Sequence, residues 1–190
     1  MGLDSVELLM DFENYFSISV PDLEAEKIAT VQNMVDFVSK ERQIFSEDSI
    51  LKEKVRTQFE QIVSNEPALN KEDLVFVRFH PSNKLFWSAI ENKLELKLPM
   101  PNWTNGSSIS KFFNWLTKPN YDWESIKVDH FIDVVCFANY KTLLKSSELT
   151  SKYEILVAIA GITQEKCGVD FYEIFPKKAP LMGIMGDSFP

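Results

Sequence analysis

The opening of the chain alternates apolar and polar positions with a helical period. In DSVELLMDFENYF, Val6, Leu9, Met10, Phe12, Tyr15 and Phe16 recur at helical spacing, while Asp4, Glu7, Asp11 and Glu13 fall among the polar positions. The pattern stops before Ser17-Ile18-Ser19-Val20-Pro21, where the proline biases Val20 toward an extended backbone. PDLEAEKI reads as a short acidic turn or helix. ATVQNMVDFVSKERQ predicts a second amphipathic helix with Val31, Met34, Val35 and Val38 on one face and Thr30 as its N-cap.

Further along, Ile50, Leu51, Val55, Phe59, Ile62 and Val63 predict a helix over 48–64 started by Ser46 or Asp48. NEPALNKEDL has turn chemistry. LVFVRFHP is the one stretch rich in β-formers, read either as a short strand or as an extended buried segment. KLFWSAIENKLELKLP returns to helix, with its regular part over 83–95 and its end at Pro99. KVDHFIDVVCF opens a helix over 127–141. Between them MPNWTNGSSISKFFNWLTKPNYDWES holds three of the four tryptophans, and Phe112, Phe113, Trp115 and Leu116 read as a short apolar helix packed on the rest, with an exposed aromatic patch as the alternative. In KYEILVAIAGITQEKCG, Ile155, Leu156, Ile159, Ile162 and Thr163 predict a last helix with Gly168 as its C-terminal residue.

These elements predict an all-α protein. Its 190 residues suffice for one large or two small domains. A net charge of -8 argues against nonspecific nucleic-acid binding, which needs Lys and Arg to displace counterions, and suits partners with basic patches. Fifteen Phe and four Trp give enough aromatic surface for a core, so this is no disordered acidic tail. Cys136 and Cys167 read as small buried hydrophobes of a reducing compartment. With no apolar run approaching a membrane span, a cytoplasmic location is expected and no membrane partner.

The chain also repeats itself. IENKLELKLP (90–99) aligns with FENYFSISVP (12–21), sharing Glu-Asn and the closing proline. In KVDHFIDVVCF, Val128, Phe131, Ile132, Asp133 and Val135 fall where Val31, Met34, Val35, Asp36 and Val38 fall in TVQNMVDFVSK.

The opening stretch resembles the acyl carrier proteins. VELLM, Phe16, Pro21, EAEKI, TVQ and the neighbourhood of Asp36 match, position by position, a family run of the type DxVELxMxxExxF, IxxP and EAEKIxTVxxxxDxV. The resemblance implies helices II, III and IV of a carrier bundle, with Asp4, Glu7 and Glu13 forming the acidic face that partner enzymes recognise. Near the other end, EKCGV, DFYEIFP and GDSF resemble helix I and the following loop of a carrier. The element order is therefore II–III–IV, then I–II–insertion–IV, then I. It implies acyl-carrier-like four-helix bundles in tandem: one over 1–43 with 151–190, and a second, degenerate unit over 46–146 with the Trp-rich insertion at 100–124. Without a helix I the first unit would bare Phe12, Phe16 and Val35. About 300 Å² of apolar surface at roughly 25 cal/mol per Å² would cost many kcal/mol. Closure by residues 151–167 is expected, within the chain or as a swap between two chains that makes a homodimer, the alternative being an upstream helix I with the C-terminal helix as an extra element.

A carrier holds its cargo as a thioester on 4'-phosphopantetheine, attached to the serine of an Asp-Ser-Leu motif. In the best register Gly2 stands at that serine's position, and in the second unit His80 does. Ser5 falls three residues late and reads as a helix N-terminal hydroxyl; Asp187-Ser188-Phe189 is the motif's one close likeness, so Ser188 and Ser5 are the candidate attachment residues. The resemblance implies a carrier of acyl or aminoacyl thioesters for fatty-acid, polyketide or related synthesis, whose partners are acyl-transferring or synthase enzymes with basic docking patches. The alternative is a non-carrying adaptor or regulator that keeps the acidic face and lacks the arm. His80 has no Cys, His or carboxylate cluster suited to metal binding or catalysis, His130 beside Asp129 and Asp133 reads as solvated, and no nucleophile–base pair, metal cluster or phosphate loop is found, so no enzyme is expected.

Overall fold

The computed structural model describes residues 3–63, 69–100 and 123–168. These residues are mostly helical. We number the helices α1 (Leu3–Phe16), α2 (Asp22–Ala25), α3 (Val31–Arg42), α4 (Ile50–Ile62), α5 (Val75–Arg78), α6 (Lys84–Leu94), α7 (Val128–Ala138), α8 (Tyr140–Leu143) and α9 (Lys152–Cys167). Leu74 and Lys127 form an isolated antiparallel bridge.

The elements with clear local signals form where the pattern puts them. Thr30 caps α3 by accepting from the Asn33 N–H, and Asn33 reaches back to the Thr30 N–H, closing a capping box. Val31, Met34, Val35 and Val38 are the buried stripe of that helix. Ser17, Gln43, Glu95 and Gly168 follow α1, α3, α6 and α9 in the left-handed region, with φ of 51°, 54°, 56° and 68°. A left-handed residue lets the last carbonyls of a helix find donors as the chain turns away.

Several expectations are corrected. In α1 the buried stripe is Leu8–Phe12–Phe16, whereas Val6 (44 % exposed) and Met10 (53 %) point to solvent. Leu9 and Tyr15 are half-buried. LVFVRF is neither strand nor extended: Val75–Arg78 forms one helical turn that buries Val75, Phe76 and Phe79. With a single bridge to pair with, a strand there would leave its ladder groups without partners, so burial at helical spacing prevails over β propensity. α4 starts from Ser49, after a tight turn in which Ser46 and Asp48 bond each other, and its Ile50 is exposed. α6 stops at Leu94 rather than Pro99, and His130 is half-buried rather than solvated. Residues 101–122, with Phe112, Phe113, Trp115 and Leu116 of the expected insertion helix, lie outside the described residues.

One continuous core runs through the described chain. Helix α9 is at its centre and packs on α1, α3, α7 and α8. It buries Ile155, Val157, Ala158, Ile159, Ala160, Gly161, Ile162 and Thr163, so it is apolar around most of its circumference rather than on one face. Helix α4 packs on α6 and α7. Around it Phe59, Phe76, Trp87 and Phe131 form an aromatic cluster with ring centroids 5.5–5.7 Å apart, geometries that add to plain area burial.

Two helix–loop joints share their construction. After α1, Glu13 Oε1 accepts the Val20 N–H at 2.7 Å. After α6, Glu91 Oε1 accepts the Leu98 N–H at 3.0 Å. In both, a glutamate of the last helical turn holds the strand-like residue before a proline.

Candidate functional site

The candidate docking residues sit on α1, and the structure divides them by role. Glu7 lies on the outer side one turn before Asp11. Between them stands Lys166 from the last turn of α9, with Nζ 2.9 Å from Glu7 Oε2 and 3.4 Å from Asp11 Oδ2. The hydrogen bond to Glu7, with Asp11 adding to it, holds the Lys166 ammonium above the usual lysine range. All three side chains are partly exposed, so water screens the pair. Beside them Val6 and Met10, one turn apart, make an exposed apolar strip.

Glu13 is engaged inward. It is half-buried and spends one oxygen on the Val20 N–H, fixing the exit of α1. Glu13→Ala is therefore expected to lower the unfolding free energy by about 1–2 kcal/mol, the worth of a charge-assisted bond to a half-buried amide. A denaturant melt checks this. Asp4 and Ser5 lie in the first turn of α1, and their side chains are outside the described residues, as are Gly2 and Ser188.

Beside the second half of α1 opens a cleft of about 510 Å³ lined by Asp11, Asn14, Tyr15, Tyr140, Lys141 and Lys166, among others. Tyr140 donates to Glu165 Oε2 at 2.7 Å, and Lys141 reaches Glu165 Oε1 at 2.6 Å. Lys141 and Tyr140 hold the Glu165 carboxyl below its ordinary range, while burial and then Glu165 push the Tyr140 phenol up. The Tyr15 and Tyr140 rings meet edge-to-face at 5.9 Å. Each lysine of the cleft is already paired with a carboxylate, so the cleft has no committed charge of its own.

In the other half of the molecule His80 is exposed, its Nδ1 2.7 Å from Ser82 Oγ, and Asn83 rather than a serine caps α6 by accepting the Phe86 N–H. A polar group sits deeper, between α4, α7 and α9. Lys52 Nζ lies 2.8 Å from Asp129 and 2.9 Å from Asp133, and Tyr153 donates to Asp133 at 2.8 Å. Cys136 is buried nearby, its thiol pushed up to about 12, chiefly by burial; Cys167 is half-buried, and the two form no disulfide.

Sequence reasoning missed the Lys166 pairing and the Lys52 group. The signal for the second was present: Asp129 and Asp133 are one helical turn apart and so share a face. The first needed the packing of α9 on α1, which spacing alone does not give.

With this geometry in view, comparison with known proteins places part of the chain. A stretch of 39 residues, 20% of the chain, is 51% identical to the acyl carrier protein of Chlorobium phaeobacteroides, and the same figures hold for those of Chlorobium phaeovibrioides and Chlorobium luteolum. The chain spans about half the length of these curated relatives. No family profile and no solved structure matches. The chain thus carries an acyl-carrier-like segment, its described residues are mostly helical, and among them no helix is long and apolar enough to cross a membrane.

Proposed function

We propose that this chain is a carrier of acyl or aminoacyl thioesters whose first bundle is circularly permuted. Helices II to IV come from residues 1–43, helix I is α9, and 4'-phosphopantetheine is attached at Ser188. The observation that carries the reading is the position of α9. It packs on α1 and α3, and Lys166 near its C-terminus lies against Glu7 and Asp11, around the middle of α1. The chain leaves α9 at Gly168, and the segment from Gly168 to Ser188 can reach roughly 60 Å at about 3.3 Å per residue. Asp187-Ser188-Phe189 can therefore stand where a carrier's Asp-Ser-Leu precedes helix II. The first-turn N–H groups of α1 have no intrahelical acceptors and suit a phosphate. The arm supplies the thiol that bears the cargo; the chain supplies the hydroxyl and the docking surface.

The register of α1 supports Ser188 over Ser5. Sliding the helix by three residues to make Ser5 the attachment serine would move the buried stripe onto Asp11, Tyr15 and Ser19. The buried residues are Leu8, Phe12 and Phe16.

The same reading takes residues 46–146 as a second, non-carrying bundle. α4 stands to α6 and α7 as α9 stands to α1 and α3. Glu91 repeats Glu13. His80 occupies the serine position. The partners are acyl-transferring or synthase enzymes whose basic patches meet the outer face of α1, and the protein is itself no enzyme.

Intact-protein mass after co-expression with a phosphopantetheinyl transferase tests the reading. We expect one pantetheine increment, abolished by Ser188→Ala and retained by Ser5→Ala. No increment on the unsubstituted chain would sink the carrier and leave the non-carrying adaptor, for which Gly2 and His80 at the aligned positions are the observations in favour.

A further inference from the structure

We infer that Lys166 is the chain's own competitor for basic partners at the Glu7–Asp11 position. This rests on the docking reading of α1 and adds a regulation to it. A partner's guanidinium or ammonium that approaches this part of α1 meets two carboxylates already bridged by one ammonium, at 2.9 and 3.4 Å. To pair with both it must displace that ammonium; to pair with one it must sit beside a like charge. The backbone of Lys166 cannot yield, because α9 is fixed by the burial of Ile155, Ile159 and Ile162 and by the seat of Tyr140 on Gly161. Only the side chain can swing away. It is 32 % exposed, and Glu7 and Asp11 keep 48 % and 43 %, so the contact can be broken without unfolding anything. The Lys166 contact therefore weakens basic docking at this position by a modest factor and selects for partners that offer more than one cation or that also grip Val6 and Met10.

The experiment uses the full chain and a fluorescein-labelled hexa-arginine peptide as the probe, read by anisotropy at low ionic strength. Lys166→Gln is expected to bind the probe about threefold more tightly, the size of one exposed pair. Lys93→Gln, which makes the same change in net charge on an exposed position of α6, is expected to give no comparable gain. The gain should vanish in about 0.5 M salt and in the triple variant Lys166→Gln/Glu7→Gln/Asp11→Asn. If Lys166→Gln and Lys93→Gln bind alike while Glu7→Gln/Asp11→Asn still lowers probe affinity, the competition is overturned and the docking face survives. If Glu7→Gln/Asp11→Asn leaves affinity unchanged even without Lys166, the docking face itself fails. Thermal melts of each variant show whether the fold is kept.

Discussion

Gly161→Ala is expected to destabilise this protein, although alanine is the better helix former. Gly161 lies in the middle of α9, where glycine ordinarily costs about 1 kcal/mol relative to alanine. Here the flat ring of Tyr140 rests on the helix in place of a side chain. A methyl at this position would come within 2.6 Å of Tyr140 Cγ and closer still to Cδ1. The offending atoms are near the root of the ring rather than at its tip, so a small χ rotation does not relieve them. Tyr140 would have to leave its seat, breaking its bond to Glu165 and its edge contact with Tyr15. Overpacking of this kind costs typically about 1–3 kcal/mol. Offset by the roughly 1 kcal/mol that alanine gains over glycine, a cost near the upper end leaves a net loss of about 2 kcal/mol, or a fall in Tm of roughly 5 °C. A double-mutant cycle identifies the cause: in a Tyr140→Ala background the same Gly161→Ala change should be neutral or stabilising. An equal cost in both backgrounds would mean that the ring is not what the glycine accommodates.

Glycine in α9 also shows where sequence legibility ends. α3 could be read to the residue because its signals are local: a capping threonine, an asparagine three residues on, and four apolar residues on one stripe. α9 has a capping serine and a terminal glycine, and its glycine end was legible. Its middle was not. A one-sided stripe presumes solvent on the other side, and α9 has helices on several sides. The phase of α1 was lost for a related reason. Leu8, Leu9 and Met10 are consecutive apolar residues about 100° apart around the helix. Only the positions of its neighbours decide that Leu8 goes inward and Met10 outward.

The candidate site was legible in its elements and not in its pairings. Glu7 and Glu13 look equivalent in the sequence, as two acids on one helix. The structure turns Glu13 to a backbone amide and leaves Glu7 to meet Lys166. That difference arises from where the chain goes after α1 and from a residue about 150 positions away, neither of which a periodicity carries. One long-range relation that the sequence did carry was the alignment of 12–21 with 90–99, because a helix-ending glutamate seven residues before an extended residue is itself a local device.

Lys52→Met should be the other costly single change, with a pH dependence that marks its origin. Methionine keeps much of the packing of the lysine stem while removing the ammonium. Lys52 is largely buried and serves Asp133, itself mostly buried, and Asp129, which is more exposed. Without the ammonium, Asp133 keeps only the Tyr153 hydroxyl as its partner. Removing one member of a buried pair strands the other charge, and a cost of about 2–4 kcal/mol follows; the share of Asp129 is reduced by water. Burial already raises the Asp133 carboxyl above its ordinary value, with Lys52 and then Tyr153 pulling it back. In the variant that restraint from Lys52 is gone and the carboxyl rises further. The folded form then holds its proton at a pH where the unfolded chain has lost it. The penalty is therefore present above the raised pKa and relieved as pH falls through it. The stability gap between Lys52→Met and the unsubstituted protein should narrow as pH falls from about 7 to about 5. The raised Lys52 pKa affects stability only on the alkaline side, where that stabilisation is lost as pH rises. Adding Asp133→Asn to Lys52→Met should recover part of the loss at neutral pH and flatten the profile. A gap that stays constant with pH would mean that lost packing, rather than a stranded carboxylate, explains the cost.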